Sequence, residues 1–136
     1  RFAMSVESTR KKVERYLNAQ HGDVSMLAED GIFTTMADGK ETRGREAVLG
    51  MMNYLYHYAF DASAIGRVML FGESNAMLEG TFVGKHIGEF NGIPATGKEV
   101  NVPMCIVYDL VNDQIKSARI YFEIPALLQQ LGVSPV

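Results

Sequence analysis

The chain has 136 residues, 47% of them hydrophobic and 21% charged, the size and balance of one globular domain able to bury a core. A net charge of −3 and a pI near 5.6 leave no basic footprint for a phosphate backbone, so nucleic acid is not an expected partner. The single cysteine, Cys105, excludes an internal disulfide and any multi-thiolate metal centre. It lies in an apolar run, where a thiol reads as a small core residue, and it suits a reduced, cytoplasmic setting. The longest stretch without a formal charge, Ala47–Phe60, contains Asn53 and His57 and is too short to cross a bilayer, so no membrane partner is expected. No targeting signal opens the chain. Met4-Ser5 reads as a native start, which would make Arg1–Ala3 a remnant ahead of a single domain spanning residues 1–136.

In chain order, Val6, Val13, Tyr16, Leu17 and Gln20 share one side at helical spacing and predict a helix over 6–20. Gly22-Asp23 ends it, and Asp23 can cap a short second helix through Ala28. Ile32–Met36 reads as a strand closed by the turn Ala37-Asp38-Gly39. Arg43-Gly44-Arg45-Glu46 opens the clearest helix, with Val48, Met51, Met52, Leu55 and Ala59 in one apolar stripe. After Phe60 the period changes from 3.6 to 2. Arg67–Phe71, Ala76–His86, Val100–Leu110 and Ile115–Phe122 then read as strands, with tight turns at Glu73-Ser74-Asn75 and Asn112-Asp113. Pro125–Leu131 is a last short helix ended by Gly132. Helices first and consecutive strands after give an α+β order. Strands this long must twist and curl, and a curled sheet roofed by helices encloses a pocket for a ligand.

The segment Gly84-Lys85-His86-Ile87-Gly88-Glu89-Phe90-Asn91-Gly92-Ile93-Pro94-Ala95-Thr96-Gly97-Lys98 resembles the long hairpin motif of SnoaL-like polyketide cyclases. Leu127-Leu128-Gln129-Gln130-Leu131-Gly132, preceded by a carboxylate at Glu123, is a second match, and Gly44-Arg45-Glu46-Ala47-Val48 a third. In family order these matches reach over essentially the whole chain. The resemblance implies the fold shared by nuclear transport factor two and ketosteroid isomerase. That is a cone-shaped α+β barrel, with a strongly curved mixed or antiparallel sheet, N-terminal helices over its concave face, and usually a homodimer. It also implies cofactor-independent chemistry, in the cyclases the closure of a carbon–carbon bond in a polyketide methyl ester. One fold hosts many chemistries, so the site must decide function.

The hairpin motif itself reads as structure: its glycines permit positive φ, Ile93-Pro94 fixes a turn, and His86 anchors the loop. His21, His57 and His86 lack ligand spacing, so no metal is expected. By resemblance, Glu123 occupies the position of the cyclases' general acid/base Asp, and Tyr16 that of an oxyanion-hole tyrosine. Strict alternation puts Ser117, Arg119, Tyr121 and Glu123 on one face of the last strand and Ala118, Ile120 and Phe122 on the other. Either set can line the pocket, and a bulge near the strand end would change the assignment. Thr35 and Ile106 stand where ketosteroid isomerase carries its base and its protonated Asp, so an isomerase of that mechanism is not expected. Arg119 with Glu123 forms a partial version of the water-activating set of limonene epoxide hydrolase. The remaining candidate contacts to a substrate are Tyr121, Phe33, Met52, Tyr54, Phe82, Met104 and His86, with Met26, Met36, Met51, Met69 and Met77 also predicted inward. Three readings follow: an acid–base enzyme on a small hydrophobic carbonyl compound, a non-catalytic hydrophobic-ligand domain in the same cone, and a structural homodimer pairing through Ala118, Ile120 and Phe122.

Overall fold

The computed structural model describes residues 4–133, so Arg1–Ala3 lies outside the described residues. Helix α1 (Val6–Asn18) starts at a reciprocal cap: the Ser8 amide donates to Ser5 Oγ at 3.1 Å and the Ser5 amide to Ser8 Oγ at 2.9 Å. It is followed by β1 (Leu27–Thr35), β2 (Lys40–Arg43) and α2 (Arg45–Asn53), and the chain then winds one further turn as π-helix over Tyr54–Ala59. Strands β3 (Phe60–Phe71), β4 (Asn75–His86), β5 (Glu99–Val111) and β6 (Gln114–Phe122) and helix α3 (Ile124–Gln130) complete the fold. The six strands form one open mixed sheet in the order β2-β1-β6-β5-β4-β3, with β1 parallel to β6 and every other pair antiparallel. The class is α+β, as the chain order implies.

Several local expectations are corrected. Residues 23–26 form no second helix; Asp23 accepts from the Ser25 amide at 3.0 Å in an Asx turn, and β1 begins at Leu27. The turn Ala37-Asp38-Gly39 leads into β2, a short edge strand without an apolar pattern of its own. Strand β3 starts at Phe60, seven residues ahead of Arg67, because Ala62, Ser63, Ala64 and Gly66 carry no alternating signal yet pair fully with β4. In the hairpin motif, the tight turn is Asn91-Gly92, both at positive φ between Phe90 and Ile93, rather than Ile93-Pro94.

Register fixes which side chains meet. One set of rows runs Met69–Leu78–Ile106–Ile120 and Gly66–Gly80–Met104–Phe122 across β3, β4, β5 and β6, on the concave face. The intervening rows, Leu70–Met77–Val107–Arg119 and Val68–Glu79–Cys105–Tyr121, lie on the convex face. Gly80 permits the tightest bend, since a side chain there would overlap the Ile65 carbonyl. Helix α1 buries Val13 and Tyr16 against the concave side, and Arg45 ties the start of α2 to β1 by donating to the Leu27 carbonyl at 2.6 and 3.0 Å.

Two residues expected in the core are elsewhere. Cys105 is half-buried on the convex face, and Met36 is exposed at the end of the β1 segment. Met77 borders a small groove on the convex side, because its parity on β4 is opposite to that of Ala76 and Leu78.

Candidate functional site

Between the concave rows and the α1 and α2 segments lies a cavity of about 410 Å³, within the range of about 300–1,000 Å³ typical of small-molecule sites. Met69, Leu78, Ile106, Ile120 and Phe122 give it an apolar floor. Met51, Met52 and Leu55 line it from α2 and the π-turn. No Asp, Glu, Lys or Arg is among the described residues that line it.

Polar side chains reach it from several elements, among them Thr35 of β1, Ser63 of β3 and three tyrosines. Tyr16 from α1, Tyr108 from β5 and Tyr56 from the π-turn all line the cavity and are nearly fully buried. The Tyr16 ring meets Tyr108 edge-on at 6.2 Å and Phe33 at 6.4 Å. Neither the Tyr16 nor the Tyr108 hydroxyl has a hydrogen-bond partner among the described residues, and both residues line the cavity. The sealed, unpartnered side-chain atoms lie elsewhere, at His86 Nε2 and Asp113 Oδ1. The Tyr56 hydroxyl has only the weak acceptor Met104 Sδ, at 4.0 Å. Burial drives all three phenols toward higher pKa, Tyr56 to about 12 and Tyr16 and Tyr108 further, with the neighbouring tyrosines adding to the effect on the last two. At neutral pH each is therefore a protonated hydrogen-bond donor.

At one side of the cavity stand two histidines. His21 follows α1 and lies with Gln20 in the left-handed region, at φ 70° and 50°. Such conformations in non-glycine residues cost of order 1–3 kcal/mol each and gather at functional sites. His57 is on the π-turn, a winding that is rare and frequent at functional sites. The two meet with His21 Nδ1 and His57 Nε2 3.3 Å apart, and His57 Nε2 is 3.2 Å from the Gln20 carbonyl oxygen. Desolvation first, and the neighbouring His57 second, hold the His21 pKa down to about 4, so this ring is neutral at pH 7. Among the described residues no group of three or more His, Cys, Asp or Glu side chains is arranged to hold a metal ion.

The residues singled out from sequence divide cleanly. Tyr16, Phe33, Thr35, Met52, Phe82, Met104 and Ile106 line the cavity. Glu123, Arg119, Tyr121, Tyr54 and His86 do not. Pairing of β5 with β6 runs without a shift from Asp109↔Ser117 to Met104↔Phe122, so alternation holds to the strand end. It turns Ile120 and Phe122 to the cavity and leaves Arg119 and Tyr121 on the convex side. Glu123 is exposed at the N-cap of α3. Arg119 pairs with Asp109, which also accepts from the Ser117 hydroxyl at 3.0 Å, so the partial water-activating set is not in the cavity. Ala118, Ile120 and Phe122 likewise cannot form an exposed pairing surface: Ala118 is fully buried and the other two border the cavity.

Tyr54 is exposed, donates to the Glu89 carbonyl at 3.1 Å and stacks on Tyr58 at 5.7 Å. His86 is wholly buried in the hairpin. Its Nδ1 accepts from the Thr96 amide at 3.1 Å, and its ring packs on Phe60. Sequence reasoning did not single out Tyr108 or Tyr56, and it weighed His21 and His57 only as metal ligands. Tyr108 was within reach, since it continues the inward alternation of Met104 and Ile106. The histidines carry no local signal, being 36 residues apart.

A family model described as SnoaL-like polyketide cyclase matches residues 13–131. No curated protein matches the chain. Among solved structures, a Jannaschia sp. CCS1 protein described as a SnoaL-like polyketide cyclase is similar at a TM-score of 0.84 and 15% identity, covering 99% of this chain and 98% of its own. TsrD from Streptomyces laurentii is similar at 0.79 and 21%, covering 94% and 97%. AclR from Streptomyces galilaeus, described as a proposed hydroxylase, is similar at 0.81 and 19%, covering 96% and 100%. At these identities the structural likeness concerns the fold alone.

Proposed function

The chain belongs to the SnoaL-like polyketide cyclase family, and from that premise we propose that its cavity binds a small, mainly apolar carbonyl compound and performs cofactor-independent acid–base chemistry of cyclase or isomerase type on it. The observation that carries this reading is the meeting of unpartnered, protonated Tyr16 and Tyr108 hydroxyls with a neutral imidazole in one apolar chamber. Phenol donors aimed at a carbonyl oxygen stabilise the charge that develops when a neighbouring C–H is ionised, and a low-dielectric wall strengthens them. Glu123 has no part in the reading, because its carboxylate is not at the cavity.

The test uses 2-tetralone, an apolar ketone with acidic α-hydrogens, in D₂O. The protein should accelerate deuterium incorporation, followed by proton NMR, well beyond buffer containing an equal concentration of free imidazole. No carboxylate is among the described residues lining the cavity, which favours a second reading, a domain that binds such a ligand without turning it over. That reading is chosen if 2-naphthol, a planar mimic of the enol, binds with a fluorescence change while 2-tetralone shows no accelerated exchange.

The homodimer implied by the family would find apolar surface on the convex face, where Ile65, Val68 and Leu70 of β3 and Tyr121 of β6 are exposed. We place the contact between two copies there. Sedimentation should give a dimer at micromolar concentration and a monomer for Val68→Glu; a wild-type chain that sediments as a monomer removes the assignment. Among the described residues no helix is long and apolar enough to cross a membrane.

A further inference from the structure

Building on the carbonyl-binding reading above, we propose that His21 and His57 form a proton relay between the cavity and bulk water, with His21 the group that meets the bound molecule. The hydrogen-bond geometry sets the direction. His57 Nε2 faces both the Gln20 carbonyl oxygen and His21 Nδ1, at 3.2 and 3.3 Å. A carbonyl only accepts, so His57 Nε2 carries the hydrogen and donates to both. His21 Nδ1 is then an acceptor, and the neutral ring keeps its own hydrogen on Nε2, the nitrogen left for a molecule in the cavity. His21 is half-buried and His57 exposed, so the pair has an inner and an outer end.

Two buried phenols flank the inner ring of the pair. Tyr16 of α1 packs edge-on against His21 at 6.3 Å, and Tyr56 of the π-turn lies at 4.7 Å. Both phenols are protonated, and no carboxylate or cationic side chain is among the described residues lining the cavity. The left-handed corner at Gln20-His21 and the π-turn are each departures from regular structure, and together they bring the two rings into contact.

The transfer balances. His21 Nε2 gives its proton to the oxygen of a bound enolate, forming an O–H bond as the N–H bond breaks. His21 Nδ1 takes the proton of His57 Nε2, and His57 Nδ1 takes one from water, leaving hydroxide outside. His21 now carries hydrogen on Nδ1 and a free lone pair on Nε2, the form that removes a proton in the reverse direction. One pair thus serves as acid and as base, in a cavity that lacks the carboxylate expected there.

The experiment measures 2-tetralone exchange in dilute buffer for wild type and His57→Ala, with 2-naphthol binding as control. His57→Ala should still bind 2-naphthol, lose at least about tenfold in exchange rate at saturating ketone, and recover with millimolar imidazole, which can reach the exposed position. A His57→Ala variant that exchanges at the wild-type rate without imidazole overturns the relay. If wild type itself fails to exchange 2-tetralone, the acid–base reading fails and the pair is judged by ¹⁵N NMR of the imidazoles. The pair then stands only if neutral His21 shows its hydrogen on Nε2 and titrates higher once His57 is replaced. Hydrogen on Nδ1 of neutral His21 rejects it.

Discussion

Replacing Tyr16 with Phe should slow 2-tetralone exchange by about 10²–10³-fold, the usual cost of removing one donor that meets a developing oxyanion. The same change should leave the urea midpoint unchanged or slightly higher. The reason is the unpartnered hydroxyl: Tyr16 is 3% exposed, and its oxygen makes no hydrogen bond to the described residues. Removing it therefore orphans no other group and relieves a desolvated one. The ring contacts to Phe33 and Tyr108 survive in Phe. Tyr108→Phe should act similarly, and the double variant should fall short of the product of the two singles, since both donors address one oxygen. A Tyr16→Phe protein that loses stability while exchanging at full rate would make the residue a packing element and remove the oxyanion role.

Phe82→Ala should cost about 3–5 kcal/mol of stability, read as a fall in urea midpoint with little change in slope. Phe82 is fully buried and sits at the junction of Tyr56, Phe60 and Phe122, with centroids at 5.0, 5.2 and 5.3 Å. These edge-on contacts connect the π-turn to β3, β4 and β6, so truncation loosens the roof from the floor. Phe82 also borders the cavity, and the space it vacates would merge with existing void instead of being filled. Collapse is opposed by the Gly66–Gly80 row beside it, where the strands already lie as close as backbone allows. A loss below about 1.5 kcal/mol would mean that the roof settles onto the floor, and the cavity would then be far more plastic than its packing implies.

How much of this was legible depends on the range of each signal. The expectations Ala76–His86 and Ile115–Phe122 each differ from β4 and β6 by one residue, and Val100–Leu110 falls one residue short of β5 at each end. The period-2 burial of β4 and β5 is written residue by residue along the chain. The turn at Asn112-Asp113 was legible for the same reason, both residues taking the positive φ that such pairs tolerate. Strand β2 and the first half of β3 were not. Lys40–Arg43 and Asp61–Gly66 lack alternating apolar residues and become strand only because a neighbour supplies their hydrogen bonds. The apolar stripe of α2 was read at 3.6 residues per turn, but the π-turn re-phases it and brings Tyr56 and His57 to the cavity.

By itself the sequence determined the class, the order of helices and strands, the hairpin motif and the aromatic and thioether walls of a pocket, because each of these depends on neighbours a few residues away. Tertiary structure alone decided which polar groups enter that pocket. Glu123 was the carboxylate expected there, and it stands exposed at the N-cap of α3, one residue past the end of β6. His21 and His57, unremarkable in sequence, are brought together by a left-handed corner and a π-turn. Parity along a strand and contact between distant residues are set by how the whole sheet curls under its helices, and no local pattern encodes that curvature.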